Sequence, residues 1–213
     1  PISQVQVRGV VTDGRQQQLE AHLGGLVAGE NFFTVSLAQL REAAAGLDWV
    51  ESAEVTRRWP DRLVVTIRER VPVAVWNDKK LISNQGVVFA ALDKYDTSHL
   101  PRLNGNEHDM AQVMTYYHSI SQALLGMDVA VQRLEVDPRL TARLTLDNGT
   151  LVVVDREDFA FKLRRFAQLY SKVLTRDGRG VKRADLRYAD GVAVEFQDKT
   201  GIAPRVPDSG KQA

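Results

Sequence analysis

The chain has 213 residues, of which 44% are hydrophobic and 26% are charged, and its formal net charge at pH 7 is +1. A chain of this length buries about 70% of its unfolded surface on folding and has room for one large or two small domains. The nearly balanced charge excludes a strongly basic nucleic-acid binder, and the absence of cysteine excludes disulfides and thiolate chemistry.

The first 48 residues are predicted to form a strand followed by two helices. Alternating apolar residues over positions 2–11 indicate a strand, and leucines at helical spacing over positions 19–26 follow the capping candidate Asp13. Ser36 with Gln39 three residues later is a capping-box pattern, and it predicts a second helix with its apolar stripe over positions 37–47.

The next segment is predicted to be a tight β-hairpin. Apolar residues alternate over positions 50–59 and again over 63–67, which is the period of strands with one buried face. Pro60-Asp61 lies between these runs and has turn chemistry. The first seventy residues therefore have the order strand, helix, helix, strand, strand, in which two helices can cover one face of a three-stranded sheet.

Residues 71–198 are predicted to form a strand-rich domain with two helices. Strands are predicted at 71–76, 80–82, 87–89, 129–136, 142–146, 181–188 and 192–196, and helices over 110–127 and 159–174. A loop is expected over 93–106, Asn148-Gly149 is a strong hairpin signal, and Asp155 with Asp158 is expected to cap the second helix. Residues 199–213 are polar and rich in proline and glycine, so we expect a disordered tail.

No catalytic constellation is found in the sequence. Nucleophile-elbow, phosphate-loop, dinucleotide-binding and zinc-protease motifs are absent, and the four histidines are scattered. We therefore expect no enzyme activity, no cofactor and no metal site. The basic stretch 156–187 is interpreted as a solvated helix face, with a partner or anionic-lipid surface and a nucleic-acid surface as the alternatives.

The segment from Leu47 to Trp76 carries a family resemblance. Its Trp49-Val50, Trp59-Pro60-Asp61, Glu69, Val71-Pro72 and Trp76-Asn77 are similar to those of a POTRA module of the FtsQ/DivIB family of bacterial cell-division proteins. The resemblance continues more thinly to residue 198. It implies an α+β fold with a POTRA domain at 1–70 and a C-terminal β domain with an open sheet at 71–198.

The resemblance also implies partners and a location. Members of the family act at the periplasmic face of the bacterial inner membrane, where a transmembrane helix precedes the POTRA module. We therefore expect a noncatalytic scaffold of the division septum that links early division proteins to septal peptidoglycan synthesis. Its expected partners are FtsB, which adds a strand to the last strand of the sheet, and FtsL, which forms a coiled coil with FtsB. Other division proteins, such as FtsK and FtsA-dependent recruits, are further expected partners. No nucleic acid is expected. The alternative is a POTRA-type module that binds polypeptides during outer-membrane protein transport.

Particular residues are implied by the same resemblance. The positions that contact FtsB in the family correspond to Arg139, Tyr188, Asp190, Gly191, Ala193 and Phe196, and two positions linked to upstream recruitment correspond to Val55 and Arg57. Each also has a purely structural interpretation. Tyr188 and Phe196 suit the core of a terminal hairpin, Arg139 suits a surface loop, and ordinary strand packing explains Val55 and Arg57.

Overall fold

A computed structural model of the chain describes residues 2–9, 13–91, 95–174, 180–189 and 191–197. The chain divides into two compact units, Pro1–Leu100 and Pro101–Ala213. Val11, Asp190 and the predicted tail 199–213 lie outside the described residues.

The first unit contains the predicted β-α-α-β-β order, which is confirmed. Its elements are β1 (Gln4–Arg8), α1 (Asp13–Val27), α2 (Leu37–Ala45), β2 (Val50–Arg58), β3 (Arg62–Glu69), β4 (Pro72–Trp76), β5 (Lys80–Ser83) and β6 (Val88–Ala91). The first three strands form a sheet in the order β1-β3-β2, with β1 parallel and β2 antiparallel to β3. Strands β4, β5 and β6 pair antiparallel in chain order.

The two helices cover one face of the three-stranded sheet. Leu63, Val65 and Ile67 alternate along β3 and point into the core, where they are at most 4% exposed. In α1 the buried positions continue to Val27, whereas Leu26 of the predicted stripe is 51% exposed, because a spacing of four residues keeps one helix face. The predicted cap of α2 is confirmed: Ser36 Oγ accepts a hydrogen bond from the Gln39 amide at 3.3 Å.

The second unit is a strand-rich layer with two helices. Its elements are β7 (Arg102–Asn104), α3 (Met110–Ala123), β8 (Val131–Val136), β9 (Ala142–Leu146), β10 (Leu151–Val154), α4 (Phe159–Leu169), β11 (Val181–Asp185) and β12 (Ala193–Phe196). The strands lie in the order β12-β11-β10-β9-β8-β7. The pairs β7–β8 and β10–β11 are parallel and the others antiparallel, so this is an open mixed sheet. The predicted α+β class is confirmed.

The helices of the second unit pack on the sheet and on each other. Helix α3 contacts β8 and α4 contacts β10, while the ring of Tyr116 stacks on that of Phe159 with centroids 3.8 Å apart. Phe166 of α4 is fully buried. A π-helical turn, Tyr170–Leu174, follows α4, and its first residue, Tyr170, is buried.

Two predictions for this unit are wrong in detail. The expected loop 93–106 contains β7, whose Leu103 is fully buried. Asp158 occupies the N-cap position of α4 in a left-handed conformation (φ 51°) and makes no capping hydrogen bond. Asp155 instead accepts a hydrogen bond from Lys162 Nζ at 2.6 Å. Its carboxylate therefore pairs with the buried side chain of a residue of α4 and not with the backbone amides at the start of that helix.

Candidate partner-binding edge

The last strand, β12, forms one edge of the sheet in the second unit. It pairs antiparallel with β11, with Ala193 opposite Asp185 and Phe196 opposite Val181. The Gln197 amide donates to the Gly180 carbonyl at 2.8 Å. Successive residues of a strand direct their amide and carbonyl groups alternately to the two sides of the strand. Gln197 faces β11, so the amide and carbonyl of Val194, three residues earlier, point away from β11. Within the described part of the chain, no strand pairs with this outer side of β12.

A shallow cavity lies beside this edge. Its volume is about 310 Å³, and it is lined by Arg183, Asp185, Tyr188, Ala193, Val194 and Glu195. The phenol ring of Tyr188 is on the rim, and this residue is 58% exposed. The edge therefore offers a main-chain template together with a recess for a side chain.

Asp185 carries the charge beneath this cavity. It is 8% exposed and accepts hydrogen bonds from Arg187 at 2.9 Å (Nε) and 2.6 Å (Nη2), while Arg183 lies 3.7 Å away. The side-chain hydrogen bonds from Arg187 hold the pKa of Asp185 below its ordinary value, against the opposing effect of burial. The same pairing raises the pKa of Arg187. Asp185 is thus a charged carboxylate. It also accepts a hydrogen bond from the Arg187 amide at 3.2 Å, which orders the backbone leading to Tyr188.

The rim is also ordered by polar contacts. Lys182 Nζ donates to Glu195 Oε1 at 2.6 Å across the two strands, and this hydrogen bond lowers the pKa of Glu195. Arg165 Nη1 of α4 donates to the Ala189 carbonyl at 3.4 Å, which connects the turn before β12 to the helix. These two contacts therefore hold β12 to β11 and the turn before β12 to α4.

The structure brings together some of the predicted partner-binding residues. Tyr188 and Gly191 precede β12 and Ala193 is its first residue, and Tyr188 and Ala193 line the cavity. Asp190 lies outside the described residues. Phe196 is half-buried at the far end of β12, three residues or about 10 Å along the strand. A Cβ on Gly191 would meet no atom within 4 Å, so packing within the chain does not require glycine there.

Arg139 lies in the turn between β8 and β9. Its side chain is exposed, and its amide, like that of Thr141, donates to Asp137 Oδ1 at 2.9 Å. The pairing of β9, β10 and β11 places this turn at the same end of the sheet as Ala193. Three interstrand spacings, or about 14 Å, separate them. A partner lying across the strand ends would reach both.

The two predicted residues of the first unit lie on β2. Val55 is half-buried and packs against the core of that unit. The Arg57 guanidinium donates to the carbonyls of Phe32 at 2.8 Å, Phe33 at 3.4 Å and Val35 at 2.7 Å. Arg57 thus connects β2 to the loop between α1 and α2, an intramolecular role that sequence reasoning missed because the acceptors are backbone atoms.

Sequence reasoning also missed the Asp185–Arg187 pair and the outward-facing backbone of Val194. The feature of the sequence that could have indicated the pair is that Asp185 and Arg187 come shortly before Tyr188, a predicted partner-binding residue. The orientation of Val194 could not be obtained from the sequence, because it depends on which neighbour pairs with β12.

Among the residues that the structure describes, no group of three or more His, Asp or Glu side chains is placed to hold a metal ion. No helix within the described ranges is long and apolar enough to cross a membrane.

Comparison with family models identifies the class of protein. A family model for the FtsQ-type POTRA domain matches residues 1–70, and one for the C-terminal region of the cell-division protein FtsQ/DivIB matches residues 74–187. The fold is thus a POTRA domain followed by a strand-rich region. The chain belongs to the FtsQ/DivIB family of bacterial cell-division proteins.

Curated relatives support this assignment. The cell-division protein FtsQ of Alcanivorax borkumensis is 49% identical over 199 residues, which cover 93% of this chain and 77% of that protein. FtsQ of Xanthomonas campestris is 37% identical over 82% of this chain and 62% of its own length. FtsQ of Shewanella oneidensis is 30% identical over 98% of this chain and 79% of its own length. The predicted family is therefore confirmed.

Proposed function

We propose that this member of the division machinery is a noncatalytic scaffold that binds FtsB, with FtsL, by strand addition along β12. The observation that carries the proposal is the outward-facing backbone of Val194 beside a recess lined by Tyr188. An edge strand offers unsatisfied amides and carbonyls to a partner strand, and adjacent pockets select its side chains. The family resemblance supplies the name of the partner.

Side chains around the edge would supply the selectivity. Tyr188 is exposed and offers an aromatic face with a polar end, a combination common in binding hot spots. Arg139, at the same end of the sheet, would pair with an acidic group on the partner. Gly191 leaves open space where a side chain would otherwise stand, and Phe196 would extend the apolar contact to the far end of β12.

The same proposal covers location and further partners. We propose that the protein works at the periplasmic face of the inner membrane at the septum, anchored by a transmembrane helix that precedes the POTRA domain. Upstream division proteins, FtsK among them, would reach β2, an edge strand of the three-stranded sheet. Val55 would contribute directly to that surface. Arg57 would contribute by fixing the loop 31–36 against it.

Isothermal titration of the chain with the periplasmic FtsB segment tests the proposal. Tyr188→Ala and Phe196→Ala are each expected to weaken binding by a hot-spot amount, about 2 kcal/mol or more. Leu125→Ala is the matched control, because Leu125 is also a large exposed apolar residue of the second unit, 73% exposed. Far-ultraviolet circular dichroism checks that every variant is folded.

Two results would contradict the proposal. Unchanged FtsB binding in both aromatic variants would place the site away from β12. A complete absence of FtsB binding by the native chain, with binding of unfolded outer-membrane strands instead, would favour the transport-type function.

A further inference from the structure

One end of the first unit carries three large apolar side chains that the proposed function does not use. Trp59 is 82% exposed, Phe33 is 74% exposed and Leu26 is 51% exposed. Trp59 lies in the turn between β2 and β3, Phe33 in the loop between α1 and α2, and Leu26 in the last turn of α1. Soluble surfaces carry single exposed apolar residues routinely, but a set gathered at one end marks an interaction surface. We call these residues, with Arg58 and Arg62, the tip surface.

Hydrogen bonds hold the loop between α1 and α2 against the end of β2, next to the hairpin turn of the tip surface. Arg57, next to the turn, donates to the carbonyls of Phe32 and Phe33 at 2.8 and 3.4 Å. Asn31 Oδ1 accepts from the Phe33 amide at 2.9 Å, which orders the loop itself. The rings of Phe32 and Phe33 meet edge to face, with centroids 5.3 Å apart. Phe33 and the hairpin turn are therefore presented together and are preorganised for binding.

The charges of the tip surface point to an anionic partner. Arg58 and Arg62 are exposed and are direct cross-strand partners, one at the end of β2 and the other at the start of β3. Like charges placed opposite each other on a hairpin are destabilising. Within the described part of the chain, no carboxylate lies within ion-pair distance of either guanidinium. A dense layer of phosphate groups would relieve this repulsion.

We infer that the tip surface docks on an anionic lipid bilayer. Its exposed aromatic and leucine side chains lie in two loops and at a helix end, where they can insert among lipid headgroups. Tryptophan with flanking arginines is typical of the membrane interface, where the ring lies at headgroup level and the cations meet lipid phosphates. A protein partner would require a broader complementary face. Residues next to the amino-terminal strand share this end, since the Ser3 amide donates to the Asp61 carbonyl at 3.0 Å.

Vesicle co-sedimentation of the chain tests the inference. Vesicles of phosphatidylcholine with phosphatidylglycerol are compared with vesicles of phosphatidylcholine alone, at low and high salt. Binding is expected only to the anionic vesicles and to fall as salt screens the arginines. The double variant Arg58→Gln/Arg62→Gln should bind about 25-fold less tightly, since one basic residue near such a surface contributes about fivefold, or about 1 kcal/mol.

The apolar part is tested with matched variants. Trp59→Ala combined with Phe33→Ala should reduce partitioning at least about tenfold, whereas Trp59→Phe keeps an aromatic anchor and most of the binding. A vesicle-induced change in tryptophan fluorescence should disappear in Trp59→Phe. Leu125→Ala, an exposed apolar position of the second unit, should bind like the native chain.

Several outcomes would overturn the inference. These are no binding to anionic vesicles, equal binding to neutral vesicles, and full binding by the Trp59→Ala/Phe33→Ala variant. The inference goes beyond the proposed function and uses no residue of the β12 edge. FtsB titration of the same variants should be unchanged, so the two proposals fail independently.

Discussion

Replacing Arg57 with alanine is expected to lower the free energy of unfolding of the first unit by about 2 kcal/mol. The change removes three hydrogen bonds to backbone carbonyls, two of them short, at 2.7 and 2.8 Å, and one longer, at 3.4 Å. A hydrogen bond that involves a charged group contributes about 1.5–3 kcal/mol to the free energy of unfolding when water does not reach the acceptor. Arg57 and its surroundings are partly exposed, so water replaces part of each bond, and each short bond then contributes about 1 kcal/mol.

The assay is urea unfolding combined with amide hydrogen exchange in the full chain. Exchange should accelerate over residues 31–36, whose carbonyls lose the guanidinium, because local opening follows the loss of local contacts. Arg58→Ala is the matched control. It removes a neighbouring arginine that is exposed on the same strand, and its effect should stay within about 0.5 kcal/mol.

The result separates two roles for Arg57. If Arg57→Ala leaves both the unfolding free energy and the exchange of residues 31–36 unchanged, the hydrogen bonds are not stabilising and the reasoning is refuted. Loss of recruitment without any loss of stability would then make Arg57 a direct contact residue, as the family resemblance first implied.

Two further predictions concern the backbone of the first unit and the charge beneath the partner edge. Gly9→Ala should destabilise the first unit severely in thermal unfolding, because the new Cβ would lie 2.3 Å from the Ile67 carbonyl oxygen at a φ of +134°. Gly25→Ala in α1, with no atom within 4 Å, should instead stabilise by about 0.5–1 kcal/mol, and equal effects of the two would contradict this account. Because the folded pKa of Asp185 lies below its ordinary value of 3.8, its pairing with Arg187 stabilises the fold above that pH. This contribution is lost as pH falls through the folded pKa, so Asp185→Asn should be less stable at pH 7 and show a flatter stability profile below about pH 4; parallel profiles would refute the assignment.

Much of the fold was predictable from local patterns. The Asn148-Gly149 turn is confirmed, with Gly149 at a φ of 84° between β9 and β10, because that dipeptide suits the turn that joins two strands. The hairpin around Pro60-Asp61 is confirmed by the antiparallel pairing of β2 with β3, which extends to the pair Arg58 and Arg62 beside the turn. By contrast, β7 has three residues, too few to show a period, and it is a strand because β8 pairs with it.

The candidate edge was predictable only in part. Alternation over 192–196 predicted the last strand, and β12 confirms it. Which side of β12 stays open, and therefore where Val194 points, depends on the order of strands distant in sequence. The Arg57 hydrogen bonds span 22 to 25 residues to carbonyl groups that every residue carries, so no sequence pattern marks them. The specific FtsB residues remain predictions.

The most direct test of strand addition is FtsB titration of Val194→Pro against Val194→Ala. Proline removes the outward amide of the edge strand while leaving the β11–β12 hydrogen bonds in place, and proline is tolerated at such positions. Alanine keeps that amide and shortens the side chain. We predict that Val194→Pro abolishes FtsB binding and that Val194→Ala retains most of it, with both variants folded by circular dichroism. Native-like FtsB binding by folded Val194→Pro would contradict main-chain pairing at β12.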